Sequence, residues 1–221
     1  MKKSQIKKQY QKTGFTLAEV LITLLIIGVI SSIVIPALIS ETQDAELHTA
    51  WKKTYADLDQ TTKRIMMDNG GTMKGSFINF DDLKNNYLKY LSYNKKCGGN
   101  AGVGNCWHQS GKWFYPNNGG GITNWTWCAG AMLNNGVLIL IDGDYPNCNP
   151  TSGYPHCGYI FVDVNGFKGP NTIGKDIFGL HILEKGIKPF GSQGDGMETY
   201  CNNTYNGWCA GCGCSAKYLY N

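Results

Sequence analysis

The polar and apolar positions divide this chain into three stretches of different character. Val20 to Ser40 is an apolar run of 21 residues without a charge, the length a helix needs to cross the hydrocarbon core of a bilayer. Beyond it, Leu47, Trp51, Tyr55, Leu58, Thr62, Ile65 and Met66 recur at spacings of three and four, and Glu46, Lys52, Lys53, Asp57, Asp59, Lys63 and Arg64 fill the other faces. That period is helical and amphipathic. Asp68-Asn69-Gly70-Gly71 closes the segment with residues that tolerate the left-handed backbone of a helix end. The pattern predicts one helix over residues 15–68, apolar all round in its first half and striped in its second.

From Gly70 onward the chain turns to Gly, Asn, Cys and aromatics. Asp81 or Asp82 can cap a short helix running to Tyr93, with Leu83, Tyr87, Leu88 and Leu91 on one side. Short apolar runs then read as strands: Gly136–Asp142, Tyr159–Val164, Phe178–Leu183 and Ile187–Phe190, separated by Gly-, Asn- and Pro-rich loops. Strands without helices between them form an antiparallel sheet, and the striped half of the long helix supplies its second layer. The fold class is α+β.

Charge adds a direction. Lys2, Lys3, Lys7, Lys8 and Lys12 precede the apolar run with no acid among them, the bias that keeps a flank on the cytoplasmic side. Without these five, 15 basic and 16 acidic residues remain, so the formal +4 of the whole chain is a property of its start. No basic face of the rest suggests nucleic acid. An ordinary secretory signal has a shorter apolar region and a small-residue cleavage site; here Glu41-Thr42-Gln43-Asp44 follows the run. A plain signal anchor accounts for the lysines and the run, but not for Glu19 at the head of the helix or for the Gly14-Phe15 junction before it.

Gly14-Phe15-Thr16-Leu17-Ala18-Glu19-Val20-Leu21-Ile22 resembles the cleavage and methylation motif of type IV pilins and type II secretion pseudopilins. The resemblance implies a pilin-like fold: a long N-terminal helix, transmembrane and then amphipathic, packed on a small antiparallel sheet with Gly- and Cys-rich loops. It divides the chain into a leader, 1–14, a membrane and filament-core helix, 15–40, its amphipathic continuation, 41–69, and an extracytoplasmic cysteine-rich head, 70–221. It implies a prepilin peptidase and methyltransferase as partner, cutting after Gly14 and methylating Phe15. Other pilin or pseudopilin subunits are the further partners, in a helical filament. Glu19 becomes the assembly residue that meets a neighbour's terminal amine, and Pro36 the helix kink. The chain is then a single-pass protein of the cytoplasmic (inner) membrane before assembly and part of a surface or periplasmic filament afterwards. It is a structural subunit and not an enzyme, and nucleic acid is expected only if the filament serves DNA uptake.

The residues fit these roles physically. Glycine leaves the scissile backbone unshielded. A carboxylate in hydrocarbon costs several kcal/mol unless neutral or paired. Pro36 removes one helical hydrogen bond and strains the preceding turn.

The head's chemistry is more open. Nine cysteines, Cys97, Cys106, Cys128, Cys148, Cys157, Cys201, Cys209, Cys212 and Cys214, all lie in the last 125 residues, which favours an oxidising compartment. At most four bridges form within one chain, and one thiol is left over. A Cys97–Cys106 bridge would staple a glycine-rich loop. Cys209-Ala210-Gly211-Cys212 has the spacing of a redox motif and, with Cys201 and Cys214, of a zinc knot, but it lies in a Gly-rich tail without a βαβ context. Structural disulfides tying the tail to the sheet are the simpler reading, each contributing about 2–4 kcal/mol.

Asp163, Asn165 and Asp176 sit in a loop that resembles a recurrent one in pseudopilin-like heads, and their oxygens could hold calcium; Asx-turns explain the same residues without a metal. Trp107, Trp113, Phe114, Tyr115, Trp125 and Trp127 either fill the core or bind sugars or a surface. His48, His108, His156 and His181 are dispersed and form no catalytic set. Two rivals remain: a minor tip subunit or adhesin whose head binds a surface, a sugar or DNA, and a membrane-anchored thiol oxidoreductase using Cys209 and Cys212.

Overall fold

The computed structural model describes residues 14–99, 104–116, 121–122, 128–150, 153–201 and 209–220. The leader lysines, Trp125 and Trp127 lie outside them. The chain divides into two compact units, Met1–Gln43 and Asp44–Asn221, and one helix, α1 (Leu17–Asp68), begins in the first and ends in the second.

In the first unit the helix is exposed almost throughout, with Leu24, Leu25, Ile27 and Ile33 each at least 59% accessible. It is long and apolar enough to cross a membrane. Two of its hydroxyls are satisfied locally: Thr23 donates to the Val20 carbonyl at 2.9 Å and Ser32 to that of Val29 at 2.7 Å. Such internal satisfaction is what hydrocarbon demands of polar groups. The helix runs on through Pro36.

In the second unit α1 is followed by α2 (Phe80–Leu88), β1 (Tyr93–Cys97), β2 (Ala129–Leu133), β3 (Leu138–Asp142), β4 (Gly158–Asp163), β5 (Ile177–Leu183), β6 (Gly186–Pro189) and α3 (Cys214–Tyr220). The six strands form one antiparallel sheet in chain order. Alternation along each strand splits the sheet into two faces. Ala131, Ile139, Ile141, Ile160, Val162, Phe178, Leu180 and Ile182 join Trp51, Leu58 and Ile65 of α1 and Leu83 and Tyr87 of α2 in one core. Leu138, Leu140, Phe161 and Ile177 join a second core with Trp107, Trp113, Ile173, Phe190, Met197, Cys209 and Cys212. The head therefore has three layers: helix, sheet and a covering of cross-linked loops.

The striped half of α1 docks as its period requires. Trp51 is fully buried, stacks on Phe178 with ring centroids 4.7 Å apart, and donates its indole N–H to the Ser215 carbonyl at 2.9 Å. Thr54, Thr61 and Thr62 are buried because each hydroxyl bonds the carbonyl four residues back. The Thr62 hydroxyl also meets the Tyr87 hydroxyl at 2.7 Å, joining α1 to α2.

Several expected boundaries move. The cap of α2 is Asn79, whose side-chain oxygen accepts the Asp82 N–H at 2.9 Å, while Asp82 reaches back to the Ile78 N–H at 3.1 Å. That helix stops at Leu88, and Tyr93 opens β1 instead of closing the helix. The sheet has six strands, not four: β1 and β2 precede the first expected one. The tail ends in helix α3, whose Ser215 hydroxyl accepts the Gly179 N–H at 2.9 Å. Glycine is required at 179, where a Cβ would stand 2.1 Å from the Phe190 ring.

Candidate functional site

The N-terminal site is built from the first turn of α1. Thr16 stands just before the helix and Glu19 three residues on, the spacing of a capping box. The Thr16 N–H donates to Glu19 Oε2 at 2.8 Å, its hydroxyl donates to the same oxygen at 2.9 Å, and the Glu19 N–H donates to the Thr16 hydroxyl at 3.2 Å. Two backbone donors that the helix leaves orphaned are thereby satisfied. The carboxylate also lies at the positive end of the helix dipole. Such a cap stabilises the helix start, whereas a carboxylate carried into hydrocarbon is costly. The cap offsets part of that cost and leaves a surplus that a cationic partner can relieve.

Around this turn the chain is open. Phe15 is 89% and Leu17 79% exposed, and a Cβ built on Gly14 would meet nothing within 4 Å. Phe15, Glu19, Val20 and Thr23 line a shallow groove on the helix surface. Among the described residues the junction expected from the sequence is open, and the helix starts right behind it.

In the head, four bridges form: Cys97–Cys106, Cys148–Cys157, Cys201–Cys214 and Cys209–Cys212. The zinc knot is replaced by two disulfides. Cys128 is the thiol left over. Burial pushes its pKa up, and the charges of Asp142 and Asp144 push it further, so it stays protonated and is a poor nucleophile. Cys209 and Cys212, the pair a thiol oxidoreductase would use, are bridged to each other and both buried.

Asp163 and Asp176 come together at one end of β4 and β5. Asp163 is fully buried; its Oδ2 meets His108 Nε2 at 2.7 Å and its Oδ1 accepts the Asn165 N–H at 3.1 Å. Burial drives its pKa up to about 7 against the pull of His108. Asp176 accepts the N–H groups of Asn171 and Thr172 at 2.7 and 2.6 Å. The side-chain oxygens of Asn165 and Asn171 are buried without partners beside these carboxylates. Among the described residues, no group of three or more His, Cys, Asp or Glu is arranged to hold a metal ion.

Two histidines that look dispersed in the sequence are neighbours here. Asp142, Tyr159, His181 and Lys188 pair in register across β3 to β6, and His156 stacks near Tyr159 with centroids 4.3 Å apart and 6.0 Å from the His181 ring. His181 Nε2 lies 3.3 Å from Asp195. Burial works against the Asp195 charge, but His181 and the N–H groups of Met197 and Gly191 hold its pKa below the usual range. Burial lowers the pKa of His156 and, with Asp144, raises that of Asp142 to about 7. Strand register, which sequence spacing does not reveal, assembles this row. Trp107 and Trp113 are core residues that pack edge to face at 5.6 Å.

No curated protein and no solved structure matches the chain. A family model does match at its start: the prokaryotic N-terminal methylation motif, over residues 10–35. The matched stretch contains the open Gly14-Phe15 junction, the Thr16–Glu19 cap and the first apolar turns of α1. The chain therefore carries the N-terminal methylation motif that serves as the prepilin signal of type IV pilins and pseudopilins.

Proposed function

We propose that this chain is a structural subunit of a type IV pilus or type II secretion pseudopilus, cut after Gly14, methylated at Phe15 and assembled through α1. The observation that carries the reading is the Thr16–Glu19 cap at the head of an exposed apolar helix. Cleavage creates a cationic amine at Phe15, only four residues before Glu19. In a bundle of such helices an amine from a neighbour can take the carboxylate's remaining acceptor capacity. Lipid-like packing alone gives helices little register; a charge pair in hydrocarbon fixes it.

The experiment is Glu19→Leu in the producing cell. The variant is processed and remains in the membrane fraction, while sheared filaments lack it. Wild-type levels of Glu19→Leu in sheared filaments would overturn the assembly role. Within the same proposal, calcium is a ligand of the 163–176 loop. The unpartnered Asn165 oxygen beside two carboxylates supports that, and a calorimetric calcium titration of the full chain in detergent, giving neither heat nor a melting shift, would remove it.

A further inference from the structure

The fold brings two imidazoles together and leaves a nitrogen of each unused. His156 precedes Cys157, whose bridge to Cys148 and whose N–H bond to the Ile182 carbonyl, at 2.6 Å, hold that segment against β5. His181 lies on β5 itself. The two ring centroids are 6.0 Å apart, and the residues are 4% and 1% exposed. His156 Nε2 and His181 Nδ1 are buried without a hydrogen-bond partner. Unpaired buried polar atoms are costly and uncommon in folded proteins, and here two occur on neighbouring rings.

The remaining nitrogens fix where the protons sit. His156 Nδ1 donates to the Tyr154 carbonyl at 2.6 Å. A carbonyl only accepts, so Nδ1 carries the proton, and in the neutral ring that burial favours Nε2 keeps a lone pair. His181 Nε2 stands 3.3 Å from the Asp195 carboxylate, an ion-pair contact without the geometry of a hydrogen bond. Asp195 accepts the N–H groups of Gly191, Ser192 and Met197, which favour its charged form. The carboxylate draws the proton of a neutral His181 to Nε2 and leaves the Nδ1 lone pair free. A ring with one nitrogen fixed by a carbonyl or carboxylate and the other bare is how proteins present histidine to a metal.

The spacing agrees. Metal–imidazole bonds of about 2.0–2.1 Å put two rings on one ion with centres roughly 5–6 Å apart. Among the described residues no third His, Cys, Asp or Glu completes a metal-holding group, so solvent fills the other positions. Tyr145, Tyr154 and Tyr159 pack around the rings and are only half-buried, which gives the pair a border with water. Imidazole nitrogens suit zinc, copper and nickel, whereas calcium and magnesium take oxygen ligands. Asp195 supplies a charge opposite to that of the ion.

We propose that His156, through Nε2, and His181, through Nδ1, bind one divalent transition-metal ion of the zinc and copper class. The site lies at the Tyr159 end of β4, opposite the end that carries Asp163. It belongs to the head and stands whether or not the chain assembles into filaments.

The test uses the full-length chain in non-ionic detergent with its disulfides intact. Calorimetric titration with zinc chloride gives one ion per chain and a raised Tm, and excess calcium does not displace the zinc. Asp195→Asn weakens binding about 10- to 100-fold, and His156→Gln or His181→Gln weakens it further still. His48→Gln leaves it unchanged. Melting curves without metal report whether each variant folds. Copper(II) needs no variant: its electron spin echo in the wild-type chain shows modulation from the remote nitrogens of two imidazoles. Three results overturn the proposal: neither heat nor a Tm shift with zinc, zinc binding unaltered in both histidine variants, or a copper echo that reports fewer than two imidazoles.

Discussion

Replacing Asp142 by Asn should stabilise the head, most at alkaline pH and progressively less as pH falls toward about 4. Asp142 ends β3, opposite Tyr159, with one carboxyl oxygen buried and unpartnered. Burial, and then Asp144, lift its pKa from 3.8 to about 7. A group whose folded pKa is raised binds more protons folded than unfolded, so its contribution is greatest at low pH and is lost as pH rises toward 7 and above. The full shift corresponds to an upper bound of about 4 kcal/mol. Partial exposure and coupling to Asp144 reduce this to roughly 1–3 kcal/mol at pH 8. His156 acts in the opposite sense: its lowered pKa makes the fold lose stability as pH falls below about 6.5. Melting curves of both chains in detergent between pH 5 and pH 8 are the assay. Asp142→Asn should raise Tm by roughly 3–10 °C at pH 8 and by roughly 40% of that at pH 5, where the unfolded carboxyl is already ionised. Parallel pH profiles for the two chains would refute the reasoning.

Three further outcomes follow from the packing and the bridges. Trp51→Ala should cost about 3–5 kcal/mol, whereas Trp51→Phe, which keeps a ring against Phe178 but loses the bond to Ser215, should cost about 1–2 kcal/mol; urea unfolding separates the two. Gly179→Ala forces a methyl into the Phe190 ring and should destabilise by about 1–3 kcal/mol or more in the same assay. Alkylation without reductant should add no group to the folded chain and one group after denaturation, because Cys128 is the buried free thiol; mass spectrometry counts the groups.

The long elements were legible because each has one polarity pattern over many residues. Alternation between apolar and charged faces places Trp51, Leu58 and Ile65 on the docking side of α1, and the apolar runs around Ile139, Phe161 and Leu180 announce β3, β4 and β5. The edge strand β1 escapes such reading because Tyr93 to Lys96 are all exposed, which leaves no alternation to find. Strand β2 escapes for the opposite reason: Gly130 is small because Cys106 crowds it, with 3.1 Å between a Cβ and that side chain. Helix α3 hides in a cysteine-rich tail that reads as loop. At the N-terminus the Thr16-x-x-Glu19 spacing is that of a capping box, and the structure closes it through the Thr16 N–H and hydroxyl. The Asp142–His181 row required strand register.

The most direct measurement is the intact mass and N-terminal sequence of the chain recovered from membranes of its own cells. The account predicts a polypeptide that begins at Phe15, carries one added methyl group on its amine and lacks all five leader lysines. It further predicts that Gly14→Ala keeps the leader while the head folds as before, since the added methyl has no neighbour to strain. A wild-type chain that still begins at Met1, or one cut elsewhere with an unmodified amine, would contradict it.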